Sequence, residues 1–252
     1  KPTPEMRNFM CSAEVGDDVF EEDPTVNSFQ EKIAGMFGFE AGLFVASGVM
    51  ANQLSLNSLT SPGDEVIIEK KGHMFNYENT AAALLSSIQF LPIAGQGGKL
   101  QAPQISDNIR GKLDWEPRTM AIVLENTTNK GGGICYRKNE LEAIKKVSLQ
   151  QKLNIHLDGA RIWNAITATS IKPDYFGSIA DTMSISFSKG LGAPVGSMVL
   201  SDNKNIKQIR RLRKMIGGGM RQIGILAAAA DYAVDHHLPL LKEDHRRAKE
   251  LA

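Results

Sequence analysis

Seven short apolar runs, each of strand length and set between helical or turn-rich stretches, constrain the fold of this chain more than any other feature. They lie at Leu43–Ala46, Val66–Ile68, Ile88–Leu91, Ala121–Leu124, Ile155–Leu157, Thr182–Ser186 and Ser197–Leu200. Helical stretches run near Met50–Leu59, Tyr77–Leu85, Asn139–Lys152 and Ile206–Ile216. Ahead of them, Asp23-Pro24 followed by Val26, Phe29, Ile33, Met36 and Phe37 supplies an N-cap, a proline at the first helical position and an apolar stripe, and Gly38 stops the helix. Strands that alternate with helices predict an α/β fold, a mostly parallel sheet covered by helices on both faces. No repeat is visible, the only biased stretch is Gly131-Gly132-Gly133, and nothing reads as an internal linker.

The 252 residues, 42% of them hydrophobic, are enough for one large core, so one main domain is expected. Lys plus Arg number 29 against 28 Asp plus Glu, which leaves no overall field to hold nucleic acid or a membrane surface. A small-molecule ligand fits that balance better. Cys11 and Cys135 are too few for a disulfide framework, and the first residues lack the apolar core of a signal peptide. Ala227–Ala230 is followed at once by Asp231 and cannot extend into a membrane span. A soluble, cytoplasmic protein is the expectation. The start at Lys1 and the charged helical pattern at Glu243–Ala252 suggest a piece of a longer protein.

Chemistry concentrates in a few segments. In Ser184-Ile-Ser-Phe-Ser188-Lys189-Gly190-Leu-Gly192-Ala-Pro194-Val-Gly196, one lysine leaves a strand and is followed by small residues. Ligands of open α/β sheets bind at such strand ends, and an unprotonated ε-amine forms a Schiff base with an aldehyde cofactor. Gly190 and Gly192 would let the backbone approach a ring, and Ser188 could donate to a phosphate. Alone, the segment is equally a surface lysine at a strand end. Asn154-Ile-His156-Leu-Asp158-Gly-Ala-Arg161 adds an apolar strand ending in an aspartate. Beside a pyridine ring, a carboxylate keeps the ring nitrogen protonated and makes the ring an electron sink. Asp158 is otherwise a helix N-cap, and Arg161 otherwise an ordinary ion-pair partner. As a planar fork, Arg161 would suit a ring hydroxyl or a substrate carboxylate.

Ala46-Ser47-Gly48-Val49-Met50-Ala51-Asn52 runs from a strand through a glycine turn into a helix, whose first N–H groups can bind phosphate. Such junctions are frequent without ligands, so this one gains meaning only beside Lys189 and Asp158. His73, in the loop after Val66–Glu69, could stack on a cofactor or move a proton, although a lone loop histidine is usually just exposed. His156 shares a strand face with Asp158 and reads as a structural histidine. No cluster has metal-ligand spacing.

Four ordered segments resemble the threonine aldolases, within the aromatic β-eliminating lyase/threonine aldolase group of fold-type-I pyridoxal-phosphate enzymes. They are Gly16–Val26, His156–Arg161, Phe187–Ser197 and Arg213–Gln222. The resemblance implies pyridoxal 5'-phosphate held as a Schiff base by Lys189, with Asp158 on the pyridine nitrogen and His73 stacked on the ring. It places Ser47, Gly48 and Val49 at the phosphate and Arg161 near the ring hydroxyl and the substrate carboxylate. It also implies a homodimer or homotetramer in which Arg221 reaches a neighbour's site. By the same resemblance residues 1–252 are the cofactor-binding large domain, with about 1–22 extending from it and a small C-terminal domain lying beyond the chain.

The implied reaction is retro-aldol cleavage of L-threonine, L-allo-threonine and similar β-hydroxy amino acids to glycine and an aldehyde. Two positions depart from the family pattern. Thr128, in Glu125–Gly133, stands where many members have a histidine close to the substrate hydroxyl, so deprotonation would fall to His73 or a water. Val49 stands where a threonine often adds a hydroxyl to the phosphate. Alternatives are a β-eliminating lyase, which needs the same lysine and aspartate, an aminotransferase, and a non-catalytic protein that keeps the fold for binding.

Overall fold

The computed structural model describes residues 1–251. Seven strands form one sheet: β1 (Ala41–Val45), β2 (Glu65–Glu69), β3 (Gln89–Ile93), β4 (Thr119–Glu125), β5 (Asn154–Gly159), β6 (Thr182–Ser186) and β7 (Ser197–Ser201). Each coincides with one of the apolar runs. The sheet order is β1-β7-β6-β5-β4-β2-β3, and only β7 runs against the others, antiparallel to both β1 and β6. The strands from β6 to β3 pair in parallel.

Helices cover both faces, which is why β2 and β4 carry apolar side chains toward both sides. Along β4, Ile122 and Leu124 face a large cluster that includes Phe29, Ile33, Ile144, Phe176 and Ala229. Ala121 and Val123 face the opposite side, with Leu56, Val66, Ile68 and Ala82. The helix Gly48–Leu59 packs on that second face, against β6 and β7. Among the described residues no helix is long and apolar enough to cross a membrane.

The helix Pro24–Phe37 forms as its sequence predicts. Asp23 Oδ1 accepts from Val26 N at 3.1 Å, and Gly38 ends the helix at φ 72°. Within residues 1–22, the first helix and Asp18 contact the rest of the domain. Met6, in the helix Pro4–Cys11, is fully buried, and that helix lies on the helix Gly224–His236. The carboxylate of Asp18, also buried, is held by Arg213 and Arg210. The expected helix Tyr77–Leu85 is replaced by two short ones, His73–Asn76 and Ala81–Ser86. Asn79 and Thr80 between them take positive φ, 50° and 58°, so the chain turns and Glu78 swings into the interior.

Candidate active site

The carboxyl ends of β2, β4, β5 and β6 converge on a cavity of about 240 Å³ lined by His73, Glu125, Thr127, Asn129, Asp158, Ala160, Arg161 and Lys189. Each lining side chain is positioned by the strand it follows. Asp158 lies near the end of β5, in register with Glu125 on β4 and Ser184 on β6, so two carboxylates stand side by side on one face. Lys189 follows β6 by three residues. The 31 positions between Asp158 and Lys189 hold two short helices, Ile162–Thr169 and Pro173–Ile179, before β6.

The turn that presents Lys189 is anchored on both sides. Phe187 is fully buried, stacks on Phe44 with ring centroids 6.2 Å apart, and approaches Phe29 at 5.0 Å. Its N–H donates to Gly196 O at 3.1 Å, and Gly192 N donates to Lys189 O at 3.0 Å. A fixed backbone therefore carries an exposed amine at the cavity wall.

Asp158 is 2% exposed. Its Oδ1 accepts from Ala160 N at 3.0 Å and its Oδ2 from Asn52 Nδ2 at 3.0 Å. It does not cap the following helix, whose N-cap residue is Arg161. The guanidinium of Arg161 is exposed to the cavity and, among the described residues, enters no ion pair. Arg161 also lines a neighbouring cleft of about 400 Å³ that shares Thr127 and Asn129 with the cavity and extends to His245.

His73 is half-buried. Its Nδ1 lies 3.0 Å from Glu78 Oε1, and its backbone N–H donates to Glu125 Oε2 at 2.7 Å. The hydrogen bond to Glu78 raises the imidazole pKa; burial opposes that, while the charge of Asp158 adds to it. Burial raises the pKa of Glu125, and the neighbouring Asp158 raises it further. Glu125 Oε1 accepts from Asn129 N at 2.5 Å, so one carboxylate ties together the two loops that face each other across the cavity.

Ser47, Gly48 and Val49 sit at the start of the helix Gly48–Leu59, with Ser47 as N-cap accepting from Met50 N at 3.2 Å. They do not line the 240 Å³ cavity themselves. Gly48 precedes Asn52 by one helical turn on the same face, and Asn52 touches Asp158. The space in front of Gly48 is open, for an added Cβ would meet only Ser197 Oγ, at 3.8 Å. Ser188 is exposed beside Lys189, its hydroxyl 3.4 Å from Ser186 Oγ.

Thr128 and Arg221 stand apart from the lining of this cavity. Thr128 is buried, and its hydroxyl faces Gly97 O at 3.2 Å and Ile134 O at 3.4 Å, while its neighbours Thr127 and Asn129 line the cavity. Two carbonyls without other side-chain donors turn this hydroxyl into the loop. Arg221 is exposed and paired with Asp17, away from the cavity wall. His156 matches its structural reading: it is fully buried, with Nδ1 2.9 Å from Thr182 Oγ1 and Nε2 3.1 Å from Asn52 Oδ1. The sequence alone does not single out Asn52, Glu78, Glu125 and Asn129. Glu125 carried a usable signal, since it ends an apolar strand as Asp158 does; the others became visible only when the fold brought them together.

An anchored backbone turn, an exposed lysine and a buried aspartate at adjacent strand ends, a fork of positive charge and an open helix N-terminus suit an aromatic aldehyde that bears a phosphate. These features define the class as α/β proteins with a ligand site at the carboxyl ends of the strands. The comparisons then give the family. A family model described as beta-eliminating lyase matches residues 1–252. The chain is 38% identical over 256 residues to low-specificity L-threonine aldolase 1 of Arabidopsis thaliana, covering all of this chain and 72% of that protein. It is 40% identical over 252 residues to an uncharacterised Caenorhabditis elegans protein, of which it spans 61%. The solved structure of Leishmania major threonine aldolase shares the fold, with a TM-score of 0.87 at 20% identity over 98% of this chain and 74% of that one. The chain belongs to the beta-eliminating lyase family, a family of pyridoxal-phosphate-dependent enzymes.

Proposed function

We propose that the cavity at Lys189 holds pyridoxal phosphate and that the protein cleaves L-threonine, L-allo-threonine and related β-hydroxy amino acids to glycine and an aldehyde. The observation that carries this is the pair Asp158 and Lys189, which line one cavity from adjacent strands together with His73 and Arg161. When bound, the cofactor draws into its ring the electron pair left by a broken substrate bond. Lys189 Nζ is the amine that would hold the cofactor aldehyde as a Schiff base. Asp158 would keep a proton on the ring nitrogen, His73 would lie against the ring, and the N–H groups of Gly48 and Val49, with Ser47 and Ser188, would receive the phosphate.

Substrate orientation falls to Arg161, whose free guanidinium can take a carboxylate in a bidentate pair and so fix which bond at the α-carbon faces the ring. Removing the β-hydroxyl proton falls to His73, directly or through a water. Thr128 takes no part, since its hydroxyl faces two carbonyls. Glu78, on Nδ1, leaves Nε2 of that imidazole as the exchanging position.

Homodimer or homotetramer formation, with Arg221 entering a neighbour's site, belongs to the same proposal and is supported by the exposure of that side chain. So do a cytoplasmic location, consistent with two unpaired cysteines, and a large domain to which further chain adds a small one. The discriminating assay incubates the full-length protein with L-threonine. Glycine and acetaldehyde in equal amounts are expected, and 2-oxobutyrate in their place would make the protein an eliminating lyase.

A further inference from the structure

The cavity wall is backed by a continuous chain of buried polar groups that the reaction as described does not use. Asn52 stands at its centre, 2% exposed, on the helix Gly48–Leu59. One amide N–H of Asn52 reaches Asp158 Oδ2 at 3.0 Å and the other reaches Glu78 Oε1 at 2.8 Å. That same Glu78 oxygen receives His73 Nδ1 at 3.0 Å. Polar atoms of His73, Glu78 and Asp158 all fall within 4.8 Å of one another. Two carboxylates this close repel unless donors lie between them, and the Asn52 amide supplies one to each.

The orientation of that amide is set from behind. Asn52 Oδ1 faces His156 Nε2 at 3.1 Å, and His156 Nδ1 faces the Thr182 hydroxyl at 2.9 Å. Burial keeps this imidazole neutral, and the Asn52 oxygen facing Nε2 calls for the single ring proton there, which leaves Nδ1 to accept from the Thr182 hydroxyl. A flipped amide would set its oxygen against two carboxylates and its N–H groups against an N–H. Gln53 Nε2 holds the second Glu78 oxygen at 2.6 Å, which leaves Glu78 no other place to turn.

We propose that Asn52 is a positioning residue of the cofactor site, whose amide donates to Asp158 and Glu78 at once and thereby couples the carboxylate assigned to the ring nitrogen to the imidazole of His73. This rests on the reading of the cavity as a pyridoxal-phosphate site. The charged groups facing His73 are Glu78 from its own segment, Glu125 of β4, Asp158 of β5, and Lys189 and Arg161 across the cavity; Lys130 approaches through Tyr77. Asn52→Leu keeps the volume and removes the donor that holds the two carboxylates together. Their repulsion then loosens the Glu78–His73 hydrogen bond, the main cause that raises the imidazole pKa.

The test follows the His73 ring resonances against pH in the full-length, cofactor-free protein, assigned by their loss in His73→Gln. The midpoint in Asn52→Leu is expected to fall by about one unit; a folded variant with an unmoved or raised midpoint overturns the proposal. Should Asn52→Leu not fold, the wild-type protein answers. Its Asn52 side-chain amide resonances are expected to shift with the His73 midpoint, and flat resonances overturn the coupling. In the cofactor-loaded protein, the pH midpoint of the near-visible band is expected to move in Asn52→Leu, and an unmoved band refutes the link to the cofactor. The two NMR readouts need no cofactor, so a protein that binds no pyridoxal phosphate defeats the functional reading while the coupling between Asn52 and His73 is still decided.

Discussion

At Thr128 the hydroxyl faces the carbonyls of Gly97 and Ile134, so replacing it with the isosteric valine removes contacts internal to the loop and none with substrate. Thr128→Val is expected to lower stability by about 1 kcal/mol, read from the urea midpoint, with KM for L-threonine unchanged. A several-fold rise in KM would put the side chain back in the cavity. Asp158→Asn keeps the shape at the end of β5 and removes the charge. A loss in kcat on the order of a hundredfold is expected, with the circular dichroism spectrum preserved; near wild-type turnover would take the aspartate out of the chemistry. At this scale the sequence was legible where a residue sits at the end of an apolar strand, as Asp158 and Lys189 do. It was not legible for Thr128, because the direction of a loop hydroxyl depends on which carbonyls the rest of the fold brings beside it.

The strands were the most readable elements, since burial on both faces makes the middle of strands such as β2 and β4 a continuous apolar run. The segment after His73 was the least. Its helical composition gave way to a break at Asn79 and Thr80, where turning Glu78 inward satisfies Asn52, Gln53 and His73 together. A local pattern cannot reveal a demand made by residues some 25 positions away. The turn into β7 is equally specific. Gly196 takes φ 113°, and an added Cβ would lie 2.3 Å from the Phe44 ring, which in turn stacks on Phe187 two residues before Lys189. Gly196→Ala is expected to cost roughly 3 kcal/mol, from a strained backbone and a displaced ring. Thermal denaturation checks this, and a variant as stable as wild type would mean that the turn does not fix the lysine segment.

Across the whole molecule, the sheet gathers at one edge of its strands both the reactive side chains and the buried groups behind them. One consequence is a defined response to acid. Burial lowers the His156 pKa from 6.5 to about 4, so the unfolded chain takes up this proton first as the pH falls. Above pH 6.5 the histidine leaves stability unchanged; between there and about pH 4 it removes about 3 kcal/mol, and the loss then levels off. His156→Asn is expected to flatten the stability profile in that window, and equal slopes in the two proteins would contradict a buried neutral imidazole.

The proposed chemistry turns on one amine at one strand end. Its most direct test is the absorption spectrum of the full-length protein reconstituted with pyridoxal phosphate, wild type beside Lys189→Ala. The wild-type protein is expected to show a near-visible band that borohydride reduction removes while fixing the cofactor to Lys189, and the variant is expected to show neither the band nor the attachment. A wild-type protein without the band, or a variant that keeps the covalent cofactor, would contradict the assignment of Lys189.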